Sequence, residues 1–378
     1  MPGIPANSVQ RAIVPGTVLV GLVLAGLSAG RSRMEVLPAP VVRSSAGSST
    51  RMTRCAECHS DVTGSFANAP HARTLHRATD PEILERFAGR SFTRQSTGVT
   101  YRYEKESEKL VLSTSSYGRP LPIEWVFGSG AHAQTPLMTL PETGSRTGSV
   151  EHAVSWYPSG KLEVTFGAEK GSDTVGLGAV GHQWGPAETA GCFGCHSAEV
   201  PMHDGRLDES RIVANLDCGR CHFDAKGHLN EIDAGRPTTI ERLGSLSPLE
   251  SVSRCGECHR RSEDFEGAIF PENKSIVRFA PVGLVQSACF IKQADIVFED
   301  GKTGRMDCVT CHDPHVGSVR PRMVSISCAV CHTGEHRTAA RCTSKLANNN
   351  CLPCHMPKVA MNSELEFTDH WIRKPDKP

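Results

Sequence analysis

The sequence predicts a mainly α fold with extensive irregular chain, stacked around seven short Cys-x-x-Cys-His segments, with a small antiparallel β module inserted between the first and second of them. Three observations predict it. Fourteen of the 16 cysteines fall into seven copies of one spaced pattern. Only 6% of the 378 residues are aromatic and 38% hydrophobic, while Gly reaches 35 and Pro 24, so side chains alone supply little interior filling. Two stretches between the first and second copies alternate apolar and polar residues as half-buried strands do.

From the N-terminus, residues 12–30 form an uncharged, largely apolar run behind Arg11, and residues 1–30 read as either a cleaved secretory signal or a retained membrane anchor. Residues 31–52 are rich in Ser, Pro and Arg without periodicity and read as a flexible linker. Residues 53–89 carry the first segment, and residues 90–185 the β-rich module. There VTYRY sets Val99, Tyr101 and Tyr103 on one side, and KLEVTF does the same with Leu162, Val164 and Phe166. The polar EKESEK stretch before LVLST and the PSGK stretch between SWY and LEVTF supply the hairpin turns. Residues 186–378 hold the remaining six segments, with short helices around each pattern separated by Gly, Pro and Asp.

The seven copies pair Cys55 with Cys58, Cys192 with Cys195, Cys218 with Cys221, Cys255 with Cys258, Cys308 with Cys311, Cys328 with Cys331, and Cys351 with Cys354. His follows each pair: His59, His196, His222, His259, His312, His332 and His355. Zinc would use the Cys pairs but gives no reason for His at the same offset every time. Covalent haem attachment needs both features, two sulfurs for the porphyrin edge and a proximal imidazole for iron. In one helical turn the first Cys and the His lie at i and i+4, on one face. The expectation is seven covalently bound c-type haems in a multihaem-stacking cytochrome c fold.

A second protein ligand closes an iron to substrate and favours electron transfer, so the ten other histidines decide the chemistry. His315 in CHDPH and His336 in CHTGEH sit too near their own proximal His to cap that iron and must reach a neighbouring one. His228 and His370 are placed to fold back across the cluster. His71 and His76 fall on an expected helix, His71 being the candidate ligand. His132, His152 and His182 belong to or border the β module and read equally as structural, and His203 ranks behind the others. Met202, Met306, Met323 and Met361 read as apolar filling. Cys289 and Cys342 remain, as a disulfide or as two free thiols.

Several stretches resemble the multihaem cytochrome superfamily that includes the tetrahaem cytochrome partner of hydroxylamine oxidoreductase and the pentahaem nitrite reductases. CAECH with His71 in NAPHARTLH, CGRCHFDAKGH with His228, CVTCHDPH with His315, CLPCHMPK, and DHWIRKP with His370 carry the resemblance. It covers residues 53–80 and 190–374 and implies a helical fold in which stacked haems conduct along a chain. All seven motif histidines remain His where those nitrite reductases place Lys at the catalytic haem. No Tyr lies among the clustered motifs to match the cross-linked one of hydroxylamine oxidoreductases. The β module, with GSGAHAQT and SWYPSG, departs from both groups.

The 41 basic and 41 acidic residues balance, which gives no electrostatic case for nucleic acid. Seven haems, each with two propionates against a ferric centre, would carry the protein to roughly −7 and favour a basic partner surface. The expected function is electron relay, from a quinol-linked or soluble donor to an acceptor, by a periplasmic or otherwise exported heptahaem cytochrome with largely bis-His irons. Its expected partners are redox proteins, a quinol dehydrogenase or a terminal reductase, and residues 12–30 offer membrane attachment. The competing expectation is an oxidoreductase acting on a small nitrogen or sulfur compound at one iron with an open axial position.

Overall fold

The computed structural model describes residues 48–141, 147–203, 206–295, 297, 301–316, 328–332 and 351–374. The apolar run at 12–30, most of the expected linker, His336 and Cys342 lie outside the described residues. Among the described residues no helix is long and apolar enough to cross a membrane.

Helices α1 (Ser48–Ala56) and α2 (Ser60–Phe66) flank the first motif. The segment expected as one helix through His71 and His76 is instead a 3₁₀ turn, Pro70–Arg73, followed by strand β1, Leu75–Arg77. Tertiary pairing overrides local propensity here, because β1 joins a sheet edge with His76 opposite Val126. Helix α3 (Pro81–Phe87) begins with Pro at its first turn, where the missing N–H costs no bond, and turns Ile83, Leu84 and Phe87 inward.

The alternation read at VTYRY holds. Strands β2 (Arg90–Thr93), β3 (Thr100–Glu106), β4 (Lys109–Thr114) and β5 (Tyr117–Pro122) form a four-stranded antiparallel sheet. Tyr101 and Tyr103 are fully buried on its inner face. The β3–β4 turn centres on Ser107 and Glu108 with φ of 46° and 66°, a pair of left-handed residues whose twist suits a two-residue hairpin. A second sheet, in the order β1-β6-β7-β8-β11, contains β6 (Trp125–Phe127), β7 (Thr135–Pro141), β8 (Thr147–His152) and β11 (Gly181–Trp184). The hairpin of β9 (Val154–Trp156) and β10 (Leu162–Val164) matches the expected PSGK turn, although Leu162, Val164 and Phe166 are half-buried and Thr165 is the buried residue.

One apolar core unites both sheets with α3 and with α4 (Gly176–Val180), centred on Ile83, Phe87, Tyr103, Leu112, Val126 and Val150. A second joins the module to the motif region: Trp125 and Leu75 pack against Phe193 of α5 (Pro186–His196). Trp125 is fixed further by the Arg77 guanidinium 3.5 Å above its ring and by an indole N–H donated to Glu209.

Beyond residue 215 the elements are α6 (Cys218–Cys221), α7 (Ala225–Asp233), α8 (Pro248–His259), α9 (Ala280–Val285) and several single turns. The best-formed is α8: Ser247 and Glu250 make a reciprocal capping box and Pro248 occupies the first turn. Its last turn is the fourth motif.

Candidate metal centres

In motifs 1, 3, 5 and 7 the His amide donates to the carbonyl of the first Cys, over 2.8 Å for His59, 2.8 Å for His222, 2.9 Å for His312 and 3.0 Å for His355. Each is therefore one closed helical turn, with Cys and His on one face as the spacing predicts. Motifs 2 and 4 end the longer helices α5 and α8. Motif 5 is fastened by Asp307, which caps Thr310, pairs with Arg305 and is 2% exposed. Arg305 in turn donates to the carbonyls of Leu243 and Leu246, tying motif 5 to the chain leading into motif 4.

Three of the histidines singled out from the sequence as candidate second ligands each stand opposite a motif histidine from elsewhere in the chain. His71 faces His259 with ring centres 6.1 Å apart, His315 faces His222 at 6.3 Å, and His370 faces His312 at 6.2 Å. A metal held between two imidazoles by metal–nitrogen bonds of about 2 Å puts the ring centres about 6 Å apart. The angles between ring planes, 80°, 8° and 27°, are all compatible, because ligation fixes the common axis and leaves rotation about it free.

In six of the motif and candidate histidines a ring nitrogen is held by the protein. Nδ1 of His196 lies 2.9 Å from the Thr74 carbonyl, that of His222 3.0 Å from Glu241, that of His355 2.8 Å from Arg373 and that of His370 2.9 Å from Thr368. His315 Nδ1 meets the Asp313 carboxylate at 3.0 Å, and His71 bonds the Pro314 carbonyl. A carbonyl only accepts, so Nδ1 carries the proton in those rings that bond through it and Nε2 presents a lone pair, the arrangement that metal-ligating histidines use. Desolvation lowers the pKa of His71, His196, His312 and His370. His259 is pushed down to about 4, first by desolvation and then by His71, His196, His312 and His370 around it. These imidazoles are neutral at pH 7, which is the ligating form.

Gly283 and Ser287 position the segment that carries His370, and sequence reasoning missed both. A Cβ at Gly283 would stand 2.8 Å from the Trp371 nitrogen and 3.1 Å from the His370 carbonyl carbon, so only glycine lets α9 approach the strap that carries His370. Ser287, fully buried, donates to the His370 carbonyl at 3.0 Å and accepts from the Ile372 amide at 2.8 Å. Neither has a local sequence signal, because the contacts cross more than 80 residues. Pro314 acts through its backbone and is equally silent.

The remaining candidates are placed as follows. His228 lies on α7 with Nδ1 buried and without a hydrogen-bond partner. Among the described residues no second imidazole stands at ligating separation from His59, His196 or His355; the ring against His196 is Phe127, edge-on at 5.0 Å. His332 occupies a helical turn at 328–332. His76 is buried on β1 and bonds the Arg73 carbonyl, His132 packs on Phe367, and His182 meets Trp184 edge-on. His152 is fully buried in the β module, with both ring nitrogens unpaired, and burial pushes it down to about 3. Cys289 is a free thiol.

The residues fit covalently attached haem: paired thiols, an imidazole one turn on, and in three places a second imidazole at the separation that a metal between them requires. No family model matches the chain, and no curated protein matches it. Among solved structures, the outer cell wall cytochrome OcwA is similar over 85% of this chain and 78% of its own, at 14% sequence identity and a TM-score of 0.47.

Proposed function

We propose that this chain is an exported c-type cytochrome that holds seven haems and transfers electrons between redox partners. The observation that carries the reading is the set of three facing imidazole pairs, 6.1 to 6.3 Å apart, each joining a Cys-x-x-Cys-His turn to a histidine distant in sequence. Bound at these sites, haem supplies one-electron exchange between ferric and ferrous iron. The protein's part is to hold the imidazoles. Backbone carbonyls keep the proton on the far nitrogen and fix ring orientation, which raises ligand basicity and favours low potentials. His71, His315 and His370 would serve with the motif histidines to hold haem at motifs 4, 3 and 5, which would leave no room for substrate between those imidazoles. The donor fits a quinol dehydrogenase and the acceptor a terminal reductase, both outside the cytoplasm, where the apolar run at 12–30 directs the chain.

A second reading, chemistry on a small nitrogen or sulfur compound at one iron, draws on motif 2, where the ring against His196 is Phe127 and not an imidazole. Carbon monoxide binding to the reduced protein, lost in a Cys192→Ala, Cys195→Ala variant, would support it. The main reading is tested by coulometric titration of the purified protein. It expects seven electrons per chain, most taken up at low potential; uptake of no electrons would overturn it.

A further inference from the structure

GSGAHAQT and SWYPSG, the segments that set the β module apart in sequence, converge on one stretch of chain, the C-terminal strap of residues 356–374. In the first, Gln134 is fully buried, accepts from Arg86 at 2.7 Å, donates to the Gly128 carbonyl at 3.1 Å and exchanges backbone hydrogen bonds with Trp156. Gly128 has φ of 106°, and a Cβ there would collide with the Ala133 carbonyl, so the loop closes only on glycine. The loop so fixed sets His132 against Phe367 of the strap, ring centres 5.4 Å apart. In the second, Tyr157 is fully buried, donates to the Val164 carbonyl at 2.8 Å and accepts from the Asn362 side-chain amide at 3.5 Å. Just beyond it, Lys161 meets Glu364 at 3.4 Å and Phe166 stands edge-on to Phe367 at 6.4 Å.

The strap leaves motif 7, pairs Lys358–Ala360 with Glu366–Thr368 as an antiparallel hairpin, and returns through His370 to Arg373. The module holds the hairpin, and the returning half orients two imidazoles. The Thr368 carbonyl lies 2.9 Å from His370 Nδ1, and the Arg373 carbonyl 2.8 Å from His355 Nδ1. Asp369, 4% exposed, stiffens that half. It accepts from the Trp371 amide at 2.8 Å and from the Arg373 guanidinium at 2.7 Å, and its own amide donates to the Pro357 carbonyl at 2.9 Å. Phe367 directly precedes Thr368, so a shift of the ring carries with it the carbonyl that holds His370.

We propose, resting on the haem reading above, that the β module is a clamp on this strap, with His132, Tyr157, Lys161 and Phe166 acting as positioning residues for His370 and His355. Numbered by motif, the three facing imidazole pairs are sites 3, 4 and 5; the strap serves site 5 through His370 and site 7 through His355. A two-stranded hairpin with three residues a side is marginal alone, and its exposed Lys358–Glu366 pair adds little. Docking on a module that has its own apolar core supplies the missing rigidity. The strap is then gripped from two sides, at its hairpin by the module and at His370 by Gly283 and Ser287 of the α9 region.

The test uses the oxidised holoprotein and two readouts. Hydrogen–deuterium exchange reads the hairpin itself, and electron paramagnetic resonance separates low-spin iron from the high-spin iron left when one of two imidazoles withdraws. Phe367→Ala should speed exchange of the amides at 358–368 and convert site 5 to high spin, with sites 3 and 4 unchanged and the amides of β3 and β4 as protected as before. Phe367→Tyr, which keeps the ring, should restore both signals. His132→Ala should speed exchange at the same amides. Parent-like exchange at the hairpin, or a parent-like site 5 in Phe367→Ala, would overturn the clamp. Should Phe367→Ala fail to fold, charge reversal replaces it: Lys161→Glu alone should speed hairpin exchange, and adding Glu364→Lys should slow it again. No difference between single and double variants would overturn the proposal equally. Intact mass of the parent separates the two claims: absence of haem defeats the haem reading, whereas seven haems with an unresponsive strap defeat the clamp alone.

Discussion

The β module and the motif-bearing chain after residue 215 solve the problem of an interior in different ways. Between residues 75 and 214 the core is ordinary protein: Trp125, Tyr101, Tyr103, Phe87, Phe193 and Leu112 are buried together. Beyond 215, the buried apolar side chains among the described residues are Ala, Val, Ile and Leu, with no aromatic among them. Burial of a large apolar side chain contributes about 1.5–3 kcal/mol, so the second region has little of this stabilisation of its own. Its side chains of consequence are the paired motif thiols and three pairs of facing imidazoles, 6.1 to 6.3 Å apart. The comparison teaches that one region folds by its own apolar side chains, whereas the other, on the proposed reading, would fold around what its thiols and imidazoles hold.

The largest expected effect comes from withholding haem. Chain produced without covalent attachment should lose protease resistance beyond residue 216 while a fragment of about 75–214 survives, and uniform digestion would break the contrast. Leu112→Ala should destabilise the module by ~2–5 kcal/mol in denaturant unfolding, through the cavity it leaves, with the resonances of sites 3, 4 and 5 unchanged. Gly283→Ala should work the other way round. It leaves the module alone but displaces the His370 strap, converting the iron at motif 5 to high spin.

His152→Phe sharpens the account of the module. Its folded pKa of about 3 lies below the ordinary 6.5, so the unfolded chain takes up the proton first, and stability complete above pH 6.5 falls as pH drops toward 3. Glu124, which burial pushes up to about 7, acts oppositely, because its penalty is present above pH 7 and relieved below. Replacing His152 removes two unpaired buried nitrogens, so stability at pH 7 should change by no more than ~1 kcal/mol. The acid-unfolding midpoint should fall; an unchanged midpoint would remove His152 from the explanation. The smallest effect is expected at the exposed Arg54–Asp233 pair, where Arg54→Ala should leave the melting temperature unaltered.

The legible parts of this protein are those whose physics is local. Cys-x-x-Cys-His turns announce themselves by spacing, VTYRY by alternation, and the Ser107–Glu108 hairpin by its polar turn. His71, His315 and His370 could be singled out from their place in the sequence, whereas which motif histidine each faces could not, since that depends on chain crossings of up to 188 residues. The strand at His76 was missed because its partner, β6, lies some 50 residues on and only pairing makes it extended. Gly283, Ser287 and the Pro314 carbonyl position ligands by backbone approach, which leaves no pattern in the sequence.

Intact mass of the denatured holoprotein, produced with its maturation machinery, tests the central claim most directly. The account predicts the polypeptide mass plus seven haems, all retained through acid–acetone extraction because each is bonded to sulfur. A mass equal to the bare polypeptide would contradict it.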